Sequence, residues 1–111
     1  MHIIIKEENG FMPDTIIRIF EDRVELEENK RIKILNYDKN QIKEIMVSFL
    51  EIFDNWKSRY EDKGIIDEDS FVITIVSSKT KEIYIKNKYP QNWSKFILLR
   101  NRLIREEIKF N

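Results

Sequence analysis

Cysteine and alanine are both absent from this 111-residue chain, histidine occurs once, and glycine and proline occur twice each. Without cysteine there is no disulfide scaffold, no thiol nucleophile and no thiolate metal site. A lone His2 beside the initiator Met gives a catalytic triad nowhere firm to sit, so it reads as an ordinary edge residue. Gly10 and Gly64 lie too far apart for a phosphate-cradling glycine loop. No long apolar run is present either. Ile3-Ile4-Ile5 and Phe96-Ile97-Leu98-Leu99 are the longest, and a membrane-spanning helix needs about 20 such residues.

What is present is 41% apolar and 36% charged residues, with 20 acidic and 20 basic side chains and a formal net charge of zero. That apolar content argues against disorder, and the length suits a single domain over residues 1–111. Twenty Ile, 13 Lys and nine Asn point to an AT-rich genome, such as a low-GC bacterium or one of its phages. Lysine-rich stretches are correspondingly weaker signals of a polyanionic partner. The first residues carry no basic leader, no apolar core and no small-residue cleavage site, so a cytoplasmic location is expected.

Alternation of apolar and polar residues predicts strands at 3–7, 15–20, 24–27 and 32–35. Residues 9–14, with Gly10 and Pro13, read as a loop between the first two. Short connections at Glu21-Asp22 and Glu28-Asn29 make the next three strands an antiparallel meander. Ile42, Ile45, Met46, Phe49, Leu50, Phe53, Trp56 and Tyr60 recur at helical spacing, predicting a helix over 39–60 that buries Trp56. Asp38 with Gln41 forms a capping box, and Tyr37 with Ile42 a hydrophobic staple. Gly64 reads as the helix stop.

Strands at 71–76 and 82–86 follow as a hairpin around Lys79-Thr80-Lys81, the first of them apolar on both faces and therefore central. Pro90 fits the first turn of a closing helix whose buried face holds Trp93, Phe96, Ile97, Leu99, Leu103, Ile104 and Ile108. The expected fold is α+β: five to six antiparallel strands in the order ββββαββα, with both helices on one face.

The loop Gly10-Phe11-x-Pro13, the meander Ile17-x-Ile19-Phe20-Glu21-Asp22-x-Val24, the long helix, the Lys79-Thr80-Lys81 hairpin and the Pro90 helix together resemble a family of small uncharacterised bacterial domains. Those domains occur alone or attached to lipoproteins. The resemblance covers most of the chain and rests on structural motifs. It implies this strand–loop–meander–helix–hairpin–helix order and no chemistry. At the first hairpin Asp22-Arg23 stands where the family would have Asp-Gly.

No catalytic residue, metal ligand or cofactor is assigned. Asp62, Asp67, Glu68 and Asp69 lack the alternating register of a calcium loop and read as solvated carboxylates. Charge placement says more. Residues 1–78 carry a net −6 and residues 79–111 a net +6. At 100° per residue, Lys95, Arg102, Arg105 and Lys109 fall on the outer side of the closing helix with Leu98 among them. Glu44, Glu51 and Asp54 face outward on the long helix, around Val47. Arg100 projects near the centre of the apolar arc, close in angle to Glu107, and reads as a snorkelling or ion-paired arginine at the rim of the core or a ligand-binding one.

Three readings compete for this asymmetry: two helices whose outer charges neutralise each other, an apolar anchor in a polar rim for a protein partner, and a basic stripe with Tyr89 and Trp93 for nucleic acid. The expected function is a non-enzymatic protein-binding module, such as an inhibitor, immunity or accessory protein, with Lys95, Leu98, Arg102, Arg105 and Lys109 as the candidate partner-binding residues. A nucleic-acid-binding accessory domain is the alternative. No membrane association is expected, and a homodimer is compatible with the sequence.

Overall fold

In the first strand Ile3 and Ile5 alternate with Ile4 and Lys6, and only the odd positions are fully buried. A computed structural model describes residues 1–10, 12–64 and 69–110 of the chain. Its elements are β1 (His2–Asn9), β2 (Met12–Ile19), β3 (Val24–Glu28), β4 (Arg31–Leu35), α1 (Lys39–Phe53), β5 (Arg59–Glu61), β6 (Ser70–Val76), β7 (Thr80–Lys86) and α2 (Trp93–Ile104). The strands form one sheet in the order β4-β3-β2-β1-β6-β7-β5. All neighbours are antiparallel except β5 and β7, which run parallel. The fold is α+β, as expected, but the sheet is mixed and has seven strands.

Cross-strand registers show how one face becomes the core. Leu35, Val24, Ile19, Ile3 and Ile75 line one row, and Leu26, Ile17, Ile5, Ile73 and Ile83 the next. All of these are buried, and the two helices cover them. Burying each such side chain stabilises the fold by about 1.5–3 kcal/mol. α1 starts beside Leu35 and ends where Lys81 Nζ donates to the Trp56 carbonyl at 3.0 Å. α2 returns from the Phe71–Trp93 ring contact to the end of β4, where Tyr37 Oη donates to the Leu103 carbonyl at 2.9 Å. Between the helices Phe96 packs on Phe49, Phe53 and Trp56, with ring centroids 5.7–6.1 Å apart.

The start of α1 follows its sequence signals. Asp38 Oδ1 accepts from the Gln41 amide at 2.8 Å, and Gln41 Oε1 accepts from the Asp38 amide at 3.0 Å. Its end does not. The helix stops at Phe53 rather than Tyr60, eleven residues before Gly64, because Asp54 and Asn55 are weak helix formers. Trp56, buried as expected, instead donates from its indole to the Gln91 carbonyl at 2.9 Å. Tyr60 lies on β5, which adds to the β7 edge and gives the order ββββαβββα.

Three further expectations are corrected. Residues 9–14 are not all loop: β1 reaches Asn9 and β2 starts at Met12, with a register shift between Glu7 and Asn9. Pro13 fits there because pairing of β2 with β3 begins only at Thr15. Pro90 is not in the first turn of α2, which starts at Trp93 after Asn92 adopts φ 64°. α2 also stops at Ile104, since Glu106 turns into the left-handed region at φ 58°. Phe11, part of the quoted loop motif, lies outside the described residues, as do Asp67 and Glu68 of the acidic loop.

Candidate partner-binding surfaces

α2 places Lys95, Leu98 and Arg102 on its outer face at spacings of three and four, and Arg105 follows as the C-cap. All four are exposed, Leu98 at 52% of its surface. None of these cations forms an ion pair with a described residue. Lys109 does not join them. Beyond the turn at Glu106 the chain folds toward α1, where Ile108, Lys109 and Phe110 line a cleft with Glu44, Ile45, Ser48 and Leu99. The predicted stripe is therefore four residues with Lys109 displaced, because it assumed the helix continued.

On α1 the outer face is acidic. Glu44, Glu51 and Asp54 surround the exposed Val47, and they too form no ion pair with a described residue. The helical layer thus carries a basic stripe and an acidic stripe, each with one exposed aliphatic side chain and no direct bridge between them. Tyr89 is exposed and lies over Trp93 at 4.9 Å, but Trp93 turns its other ring contacts to Trp56, Phe71 and Phe96.

Arg100 is ion-paired at the rim of the core, with a different partner from the one its helical projection suggests. Its Nη2 donates to Glu7 Oε2 at 2.6 Å, and Nη1 donates to Asn101 Oδ1 at 3.0 Å. Glu107 is not two helical turns away, because the helix has ended. Nε of Arg100 is buried and finds no hydrogen-bond partner among the described residues.

Among the described residues no helix lies over the opposite face of the sheet. From β4 across to β5 one row reads Ile32, Glu27, Ile16, Lys6, Val72, Tyr84 and Arg59. The next reads Ile34, Glu25, Arg18, Ile4, Thr74 and Glu82. Arg18 bridges Glu27 at 3.1 Å and Glu25 at 3.6 Å, and Arg59 lies 4.7 Å over the Tyr84 ring. His2 is on this face, its ring 5.5 Å from Phe20. Ile32 and Ile34, at 58% and 56% exposure, are the most exposed aliphatic side chains here among the described residues. Sequence reasoning did not single them out as surface. In Arg31-Ile32-Lys33-Ile34-Leu35 alternation assigns either the isoleucines or Leu35 to the core, and the pairing of Leu35 with Val24 decides for Leu35.

Among the described residues no group of three His, Asp or Glu side chains is placed to hold a metal ion, and no helix is long and apolar enough to cross a membrane. Comparison with known families, curated proteins and solved structures returns no match for this chain.

Proposed function

We propose that this protein is a non-enzymatic protein-binding module, an inhibitor, immunity or accessory protein in character, acting in the cytoplasm of an AT-rich bacterium or phage. The supporting observation is the outer face of α2, where Leu98 is half exposed within the unbridged cations Lys95, Arg102 and Arg105. An apolar side chain that can be fully desolvated inside a charged rim is the arrangement of an interface anchor. The cations select a partner with an acidic surface. Lys109, turned toward α1, is not part of this contact.

The second reading, nucleic-acid binding through the same cations, is favoured by their forming no ion pair with a described residue. It is weakened by Trp93, whose ring is engaged by Phe71, Phe96 and Tyr89 and so offers no base a stacking surface. Gel retardation with double- and single-stranded nucleic acid over a salt series separates the two. The protein-binding reading expects no retardation at physiological salt, whereas phosphate contacts give retardation that falls steeply as salt rises.

A further inference from the structure

β4 ends the sheet, so one side of its backbone has no described strand beside it. Which residues face that side follows from the hairpin. Glu28 and Arg31 pair across the two-residue turn Asn29-Lys30, which makes 28 and 31 a hydrogen-bonded pair. Residues 33 and 35 then bond inward to β3, and the N–H and C=O groups of Ile32 and Ile34 point outward. The same two residues carry the exposed isoleucines of the open face. Arg31 and Lys33 project to the other face, beyond the cover of the helices, and Lys30 sits at the turn. Lys30 and Arg31 form no ion pair with a described residue.

The chain already shows what this edge takes. At its far end the outward amide of Asn36 donates to Glu106 Oε1 at 2.6 Å, and the other carboxylate oxygen lies 4.0 Å from Lys33 Nζ. A carboxylate thus occupies the end of the edge, held by a backbone donor and beside the strand's own cation. A second copy of this chain fits less well. The antiparallel register that sets Ile32 against Ile34 of another copy also sets Lys33 directly on its own counterpart, and like charges in direct opposition are unfavourable.

We propose that β4 is a strand-addition site for an extended segment of another protein, with aliphatic residues alternating with aspartate or glutamate. The incoming backbone bonds to residues 32 and 34, its aliphatic side chains extend the Ile32–Ile34 patch, and its carboxylates face Arg31 and Lys33. The proposal does not rest on the α2 stripe and stands or falls without it.

The test uses the full chain labelled with 15N and a short end-blocked peptide alternating glutamate and valine, with a lysine–valine peptide as control. The glutamate peptide is expected to shift the amides of residues 30–36 and slow hydrogen exchange at Ile32 and Ile34, while the control does neither. Lys33→Glu should weaken binding about tenfold, by turning a cross-strand attraction into a repulsion. Ile34→Pro, which removes the outward donor and the exposed isoleucine but no bond to β3, should weaken it while leaving the β3 ladder intact in the same spectra. Leu98→Asp should leave peptide binding unchanged. The proposal is overturned if millimolar glutamate peptide shifts nothing at the edge, if the lysine peptide binds as well, or if the same amides respond instead to the protein's own concentration.

Discussion

The guanidinium of Arg100 on α2 grips the carboxylate of Glu7 on β1 at 2.6 Å, tying the outer helix to the middle of the sheet. Both side chains are largely screened from water, at 16% and 25% exposure. Glu7 follows Ile3 and Ile5 on the covered face, so it stands where that face runs out of aliphatic residues.

Breaking that pair from one side leaves a desolvated charge without its partner. Glu7→Gln should cost about 1.5–3 kcal/mol in urea unfolding. Adding Arg100→Met should cost less than the separate losses imply, with a coupling of at least about 0.5 kcal/mol. Strictly additive losses would show that the contact holds nothing together.

The β3–β4 hairpin turns through Asn29 at φ 53° and Lys30 at φ 63°, the two positive values of a type I′ turn. Asparagine suits this conformation and lysine does not. Lys30→Gly should therefore stabilise the protein by about 0.5–1 kcal/mol, the relief of strain exceeding the added freedom of the unfolded chain. Thermal denaturation should shift upward by a few degrees, and an unchanged or lower midpoint would contradict the turn assignment.

This turn also marks how far the sequence could be read. The meander, the capping box of α1, the 80s hairpin and the core positions were legible because each rests on local periodicity or a local cap. The end of α1 was not, because Trp56 and Tyr60 continue the spacing of three and four by docking against other elements, Trp56 on Gln91 and Tyr60 on the β7 edge. The outward side of Ile32 and Ile34 was hidden for a similar reason: a strand's inner face is chosen by its partner's register, here Leu35 on Val24. Of the α2 stripe, Lys95, Leu98, Arg102 and Arg105 were legible from helical angle, and Lys109 was lost at the left-handed turn of Glu106.

Tyr37 supplies a pH signature. Burial, together with the nearby Glu106 and Glu107, pushes its phenol up to about 12, and its hydroxyl donates to the Leu103 carbonyl. The unfolded chain loses this proton first, near pH 10, so the contribution of Tyr37 is complete below that pH and is lost as pH rises toward 12. Tyr37→Phe should cost about 1 kcal/mol at neutral pH through the missing hydrogen bond. The gap between the two proteins should narrow between about pH 10 and pH 12, and a constant gap would place the hydroxyl in an ordinary aqueous setting.

The central claim is that the outer face of α2 binds a protein through Leu98. The direct measurement compares wild type with Leu98→Asp, each tagged and retained on resin with extract of the native cell after nuclease treatment. Leu98→Asp should unfold within about 0.5 kcal/mol of wild type, because the side chain is on the surface, whereas Leu103→Asp, in the core, should not fold. The account predicts a protein held by the wild type at physiological salt and lost from Leu98→Asp. It is contradicted if Leu98→Asp unfolds, if it retains the same protein equally well, or if everything the wild type retains disappears with the nucleic acid.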